Sequence, residues 1–198
     1  MKHKLMLVAL PALALAACGG DGASTNATVV GNDALAGSEA AVLGNGADNM
    51  AMAPTDASPM TGQQFADTMA ASDMFELESS KLAQQKASAA PVKEFAAMMI
   101  KDHTASTAKL KEAAGKAGPA ITPRPALTAE QTANLEALRA ASGAEFDTLY
   151  KQQQVAAHQQ ALANLQGYAR AGDVPSLKAF AGETAPIVEG HLKHVSGM

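Results

Sequence analysis

The chain contains a single cysteine, no tryptophan and few aromatic residues. Because one thiol cannot close a disulfide within the chain, no such cross-link stabilises the fold. The aromatic content of 4% leaves few platforms on which the bases of a single-stranded nucleic acid could stack. Alternating runs of β-branched residues, which predict strands, are also missing after residue 60. These absences favour a helical protein and argue against nucleic acid as a partner.

The amino terminus has the pattern of a bacterial export signal. Lys2 and Lys4 form a basic head, and the apolar stretch over residues 5–17 is too short to remain as a membrane span. The stretch ends in LAAC, which resembles a lipobox whose cysteine becomes the first mature residue and carries acyl chains. We therefore expect residues 1–17 to be a lipoprotein signal peptide and Cys18 to be lipidated. The alternative is an ordinary signal peptide with an incidental cysteine.

The residues after the lipobox bear on where the protein resides. Gly19 and Gly20 precede the first acidic residue, Asp21. By analogy with sorting rules for such lipoproteins, this order favours the periplasmic face of the outer membrane, with the inner membrane as the alternative. Removal of the two signal lysines leaves 13 of the 15 basic residues against 19 acidic ones, a net charge of −6 that again disfavours nucleic acid. The membrane is the one predicted partner, reached through the acyl chains.

Residues 18–60 predict a disordered tether. After the cysteine the segment is rich in Gly, Ala, Asn and Ser, and it holds five acidic residues but no Lys, Arg or aromatic residue. Such a composition cannot bury enough apolar surface to offset the entropy of ordering the chain. We expect the tether to hold the domain formed by residues 61–198 away from the membrane. The alternative is a binding tail for cationic partners.

Capping signals divide the remaining residues into helices. Hydroxyl residues followed three positions later by Gln or Glu, the spacing of a capping box, stand at Thr61, Thr128 and Ser142. Asp173 is the expected cap of the last helix, and Pro186 predicts a bend or break inside it. The predicted helices cover, in order, residues 61–87, 88–118, 128–141, 144–172 and 174–196.

This order of helices predicts an all-α fold. Two long hairpins joined by a longer connection that contains a short helix describe a four-helix bundle with a crossover, as in ferritin-like folds. A domain of about 140 residues in this form buries an adequate core without a cofactor. A metal is therefore not needed for folding.

Each long helix places an ionisable residue on its apolar stripe. His103 lies four residues after Met99 and seven before Leu110, so it shares their face of the second helix. Asp102 lies one step round, at the edge of the stripe. The same spacing test assigns an inward position on the other three long helices to Glu76, His158 and His191.

The predicted heights of these residues along the bundle are similar. At 1.5 Å per residue from each turn, Glu76 and His103 differ by only ~5 Å, and His158 and His191 by roughly 7 Å. Buried charges are costly unless they are paired or bound to a cation. We therefore expect the four side chains to meet near the middle of the bundle, either around a metal ion or in a hydrogen-bonded network.

The metal hypothesis assigns a ligand role to five residues: Glu76, Asp102, His103, His158 and His191. Tyr150 is expected to orient a ligand from the second shell. Imidazole and carboxylate donors suit a single zinc, iron or manganese ion. Copper, with Met98 and Met99 as soft ligands, ranks lower because Met is mainly core filler. Asp147 and Glu189 are expected to be solvated or to support the site from outside, and His194 to be solvated.

Several separated motifs carry a resemblance to a known family. They are FELESSKLA around Glu76, the pair at residues 102–103, FDTLY with His158 eight residues after Tyr150, and Pro186 followed by His191. Over residues 61–196 the chain resembles the bacterial domain-of-unknown-function family 4142, whose members are exported proteins with a ferritin-like bundle. The resemblance implies that fold, but it implies no reaction because the family has none assigned.

The chain departs from ferritin-like di-iron proteins, which use Glu-x-x-His pairs on two of their helices. The residues three before His103, His158 and His191 are all apolar, namely Ile100, Val155 and Val188. A di-iron carboxylate centre is therefore not expected, and no catalytic residue is predicted. Two functions are compatible with the sequence: a metal-binding or redox-protective lipoprotein of the envelope, and a metal-free helical module for interaction or stress response.

Overall fold

The computed structural model describes residues 60–198, which form five helices and no strand apart from an isolated bridge between Ala87 and Gly143. None of these helices is long and apolar enough to cross a membrane. The predicted signal peptide, Cys18 and nearly all of the predicted tether lie outside the described residues. The helices are α1 (Gly62–Lys86), α2 (Ala90–Gly115), α3 (Ala129–Ala140), α4 (Gly143–Ala171) and α5 (Pro175–Ser196).

The four long helices form an antiparallel bundle with a crossover. Helix α1 packs against α2 and α4, and α5 packs against the same two helices. One apolar cluster joins the start of α1 to the end of α2, so neighbouring helices run in opposite directions. The connection from α2 to α4 therefore travels the length of the bundle, and its short helix α3 packs on α1 and α4. The predicted all-α, ferritin-like crossover bundle is confirmed.

The core consists of two apolar clusters with a mainly polar layer between them. The first cluster surrounds Phe65 of α1 and Phe180 of α5, where α2 and α4 end. The second surrounds Phe95 of α2 and Phe146 of α4, where α1 and α5 end. Buried polar side chains of all four long helices lie at intermediate positions along them: Asp73, Glu76, Ser79, Ser80, His103, Gln154, His158 and His191.

The predicted caps of α1 and α3 are confirmed, whereas those of α4 and α5 are wrong. Ser142 makes no side-chain cap bond, because Gly143 begins the helix with a φ of +59° and a capping box requires helical backbone there. Asp173 does not cap α5; its carboxylate accepts a hydrogen bond of 2.7 Å from the Tyr168 hydroxyl, and Val174 occupies the cap position.

Helix α5 is one continuous element through Pro186, so of the predicted bend or break the break is wrong. A proline inside a helix removes one backbone hydrogen bond. The residues that follow it, Val188 and His191, remain buried, and their packing outweighs that loss. Helix α2 begins at Ala90 and ends at Gly115, two residues later and three earlier than predicted.

The start of α2 is capped from another helix. Asp147 of α4 is buried, and its carboxylate accepts bonds from the backbone N–H groups of Ser88, at 3.0 Å, and Ala89, at 2.9 Å, and from the Ser88 hydroxyl. Burial raises the pKa of Asp147, but these hydrogen bonds outweigh it and hold the pKa below its usual value. The expectation of a solvated or site-supporting Asp147 is wrong because the carboxylate satisfies the free N–H groups before α2.

We expect Asp147→Asn to lower the free energy of unfolding by about 1–3 kcal/mol at neutral pH, because a charge-assisted cap is lost. The carboxylate's contribution is present above its unfolded pKa and is lost as the pH falls through its lowered folded pKa, so the difference should shrink in acid. Urea unfolding of residues 61–198 between pH 7 and pH 3 measures it. Glu145→Gln, an exposed change two residues earlier on the same helix, is the control, and an equal loss in both variants would contradict the cap.

Candidate metal centre

Three histidines from three different helices meet in the polar layer. The ring centroids of His103 and His158 are 5.8 Å apart, those of His103 and His191 5.8 Å, and those of His158 and His191 5.5 Å. One ring nitrogen from each residue lies within 4.8 Å of the other two. Among His, Cys, Asp and Glu of the described residues, these three form the group that could hold a single ion.

Two of the rings are held by carboxylates. The Nδ1 atom of His103 lies 2.8 Å from Oδ1 of Asp73, and the Nε2 atom of His191 lies 3.0 Å from Oδ2 of Asp102. A carboxylate oxygen only accepts, so these ring nitrogens donate the proton. In the neutral rings the lone pair then resides on the other nitrogen, which is Nε2 in His103 and Nδ1 in His191.

The third ring, that of His158, is held by a backbone carbonyl group. The Nδ1 atom of His158 donates to the carbonyl oxygen of Gln154, one turn earlier in α4, at 2.8 Å. This bond leaves the lone pair on Nε2. Oε1 of Glu76 lies 3.7 Å from the same Nδ1 atom, beyond hydrogen-bond distance but close enough for an electrostatic interaction.

The three remaining ring nitrogens are buried and have no hydrogen-bond partner within the described part of the chain: Nε2 of His103, Nε2 of His158 and Nδ1 of His191. A buried polar atom without a partner costs about 1–3 kcal/mol. Metal-binding histidines typically donate their other N–H to a carboxylate or carbonyl, which fixes the ring and the tautomer. All three rings have this arrangement, so the donor set fits a metal ion.

The charges of the layer are distributed unevenly. Burial and, to a smaller extent, the nearby His103 lower the pKa of His158 to about 3. Burial also lowers the pKa of His191, against the raising effect of Asp102. Burial also acts to lower the pKa of His103. The hydrogen bond to Asp73 and the charges of the surrounding carboxylates outweigh burial, so the pKa of His103 is raised. Of the three rings, His103 is therefore the one whose surroundings favour the protonated form.

Glu76 is the buried acid of the layer. Burial raises its pKa to about 7, opposed by the charge of His103 and a hydrogen bond from Gln154. Its Oε2 atom has no hydrogen-bond partner among the described residues. Glu76 is thus a carboxyl group whose charge depends on what occupies the centre of the cluster.

Three of the five residues predicted as ligands lie together, and the other two lie beside them. His103, His158 and His191 are close enough to share an ion, whereas Asp102 holds His191 and Glu76 lies beside His158. The spacing analysis missed Asp73, which holds His103. It lies four residues after Met69 and three before Glu76, so the same test of the apolar stripe would have found it.

Tyr150 does not contact the histidines through its hydroxyl. The phenol oxygen is paired with the Ser80 hydroxyl of α1 at 2.8 Å, and the ring stacks on Phe146 with centroids 6.0 Å apart. Burial raises the pKa of Tyr150, so the group stays neutral. The structure therefore places it as a link between α1 and α4, because a buried hydroxyl needs a partner.

The remaining candidates lie outside the cluster. Met99 is fully buried in the second apolar cluster, and Met98 packs against it. His194 is exposed as predicted, with its ring edge-on to Phe95 at 5.4 Å, and Glu189 is exposed as well.

These features define a class of protein: a ferritin-like crossover bundle with three buried histidines between two apolar halves of its core. The chain belongs to the family described as "Domain of unknown function (DUF4142)", whose sequence model matches residues 47–198. The resemblance inferred from the separated motifs is thereby confirmed. Among curated proteins none matches the chain.

Solved structures of similar fold are forms of a protein named CopM. Its Cu(II)-bound form has a TM-score of 0.60 at 19% identity and covers 70% of this chain and 95% of its own. The Cu(I)-bound form has a TM-score of 0.58 at 18% identity, with 70% and 94% covered. The Ag-bound form has a TM-score of 0.57 at 18% identity, with 70% and 94% covered. At this identity the similarity establishes the fold.

We expect Glu76→Gln to remove a pH dependence from the stability of the metal-free domain. The folded pKa is raised from 4.5 to about 7, so the stabilising contribution of the protonated acid is full below pH 4.5 and is lost as the pH rises to 7. The parent should lose about 3 kcal/mol relative to the variant across this window. Urea unfolding with a chelator present measures it. A difference that stays constant with pH, as expected for the exposed control Glu94→Gln, would contradict a buried titrating acid.

Proposed function

We propose that this domain binds one transition-metal ion at His103, His158 and His191, and that the ion is copper. Two observations carry the proposal: each of the three histidines offers a ring nitrogen within 4.8 Å of the other two, and each ring has one buried nitrogen with no hydrogen-bond partner within the described chain. A site with three protein nitrogens leaves a further position for an exogenous ligand. The number of bound ions expected is therefore one per chain.

The donor set supports copper over iron and manganese. Imidazole suits copper and zinc, whereas manganese is better served by carboxylate and water, and the common mononuclear iron site adds a carboxylate to two histidines. For a given set of nitrogen donors, Cu²⁺ binds more tightly than Zn²⁺. The CopM structures with Cu(I), Cu(II) and Ag bound are of similar fold and agree with this preference. The proposal thus places copper ahead of the zinc, iron or manganese expected from the sequence, with zinc as the main competitor.

The surrounding residues have distinct roles in the proposed site. Asp73 and Asp102 hold the N–H groups of two ligand rings, and the Gln154 carbonyl holds the third. Glu76, buried beside His158, supplies a carboxylate that can offset the charge of the cation. Bound copper is a redox-active ion, and enclosing it in a buried site limits its reaction with other molecules.

We propose that this enclosure is a protective function in the bacterial envelope. The amino-terminal sequence supports it, since the export signal and lipobox predict a lipid anchor at Cys18 and a periplasmic location. In that setting the domain sequesters copper that has not entered the cytoplasm.

A second function is favoured by one specific observation. In each of the three histidine rings, one nitrogen is hydrogen-bonded to an oxygen of the chain. Asp73 also accepts a hydrogen bond of 3.0 Å from the Thr107 hydroxyl. Such a network could specify how the four helices pack without any metal, in a module that binds a protein partner. Buried polar groups have this specifying role in some proteins.

Metal content decides between the two functions. Residues 61–198, purified without an affinity tag and offered copper, should contain close to one ion per chain by mass spectrometry. His103→Ala should lose the ion, and His194→Ala, an exposed histidine on the same helix as His191, should retain it. An empty parent that cannot be loaded with copper or zinc, together with a His103→Ala variant that melts well below it, would establish the metal-free network instead.

We expect Asp73→Asn to weaken metal affinity by roughly 10–100-fold, the usual effect of removing a carboxylate that holds a ligand histidine. The amide still occupies the space, but it no longer fixes the tautomer of His103. Competition titration with a copper chelator measures the change. Asp67→Asn, the same substitution on the same helix where the carboxylate binds Arg124, is the control. Equal affinity of the parent and Asp73→Asn would contradict this role of Asp73.

A further inference from the structure

The three histidines are buried, so an ion from solvent must pass between helices of the bundle to reach them. The residues that hold the rings differ in their access to solvent. The side chain of Asp73 is 7% exposed, whereas that of Asp102 is 31% exposed. Gln154 and Glu76 are fully buried. Of these four residues, Asp102 is therefore the one through which the hydrogen-bonded network around the histidines reaches the protein surface.

The side between α1 and α2 has an opening, but its charge is wrong for a cation. A cavity of about 210 Å³ lies there, with apolar walls that include Met74 and Leu77. Two exposed lysines, Lys81 and Lys111, also line it. The one carboxylate of the lining, Glu78, is paired with Arg139 at 3.3 Å. The cavity reaches Thr107, whose hydroxyl is bonded to Asp73. Ammonium groups repel an approaching cation, so this side does not favour uptake.

The side between α1 and α4 has a larger groove of about 1030 Å³. Its lining includes Phe75 and Gln153, both buried, and several alanines and amides. Neither the three histidines nor the carboxylates that hold them contribute to this lining. The carboxylates that do line it are Asp67, which is paired with Arg124, and Glu130. Neither is bonded to a histidine of the cluster, so the groove leads a cation to no carboxylate that touches the site.

The side between α2 and α5 combines access with the right charge. These helices contact each other less extensively than α1 contacts α2 or α4 contacts α5. Helix α5 also contains Pro186 in its interior. Because proline has no backbone N–H, one hydrogen bond within this helix is missing. Asp102 lies on this side, with Oδ2 on the Nε2 atom of His191 and part of its side chain open to solvent.

We propose that Asp102 is the uptake residue of the metal site: its carboxylate attracts the cation at the surface between α2 and α5 and passes it to His191. This inference rests on the proposed function, since it concerns the same ion. Asp73 differs in role because it is buried and only orients His103. Asp102 thus governs how fast the ion arrives, and Asp73 governs how long it stays.

The two roles predict different kinetics. Removing an exposed charge changes the association rate and its salt dependence, whereas removing one partner of a buried pair changes the dissociation rate. Salt screens the attraction of an exposed carboxylate, so uptake by the parent should slow as ionic strength rises. Asp102→Asn should take up the ion roughly ten-fold more slowly with a flatter salt dependence. Asp102→Glu, which keeps the charge, should restore most of the rate.

The test is stopped-flow mixing of Cu²⁺ with residues 61–198, which contain both core clusters and all five helices. Uptake is followed by copper absorption, release by transfer to excess chelator, and folding of every variant by circular dichroism. Glu94→Gln, an exposed charge removal two turns earlier on α2, is the control and should keep the parent's uptake rate. Asp73→Asn should release copper faster than the parent.

The outcomes separate this inference from the proposed function. A parent that fills with copper while Asp102→Asn fills as fast, or changes only in release, overturns the uptake role and leaves the metal site intact. A slower uptake that is equally seen for Glu94→Gln also overturns it, since the effect would be one of net charge. A parent that takes up no copper at equilibrium overturns the proposed function and this inference together.

Discussion

The structure depends on how three imidazole rings are held in the middle of a helical core. Each ring donates one N–H to an oxygen of the chain, from Asp73, Asp102 or the main chain of Gln154, and this orients the other nitrogen without giving it a partner. The cost of three unpartnered polar atoms has no compensation within the described residues. A bound cation would supply that compensation, and this is the reason for proposing a metal site in the polar layer.

The two apolar clusters offset the energetic cost of burying such a polar layer. One lies around Phe65 and Phe180 and the other around Phe95 and Phe146, at opposite ends of the bundle. Together with Asp147, which caps α2 from α4, they hold the four helices at both ends. The layer between them can therefore carry polar side chains, since the hydrophobic stabilisation of the fold comes from the two clusters.

The sequence predicted the bundle and the inward histidines because both follow from one period. Residues at spacings of three, four and seven share a helix face, which identified His103, His158 and His191 without any three-dimensional information. Asp73 obeys the same spacing but was overlooked in favour of Glu76, one turn later. The predictions of helix caps at Ser142 and Asp173 were wrong for another reason. A local sequence pattern does not show that Gly143 has a positive φ, or that the Asp173 carboxylate is bound by the Tyr168 hydroxyl. Asp147 likewise acts on a helix 58 residues away in sequence.

The coordination of the ion tests the central claim most directly. X-ray absorption spectroscopy of the copper-loaded domain should show a first shell dominated by three imidazole nitrogens at about 2.0 Å, the usual distance for a histidine nitrogen on a metal of this size. His158→Ala should reduce the imidazole count by one. A first shell made up of sulfur from Met98 or Met99, or of oxygen alone, would contradict a metal centre built from the three histidines.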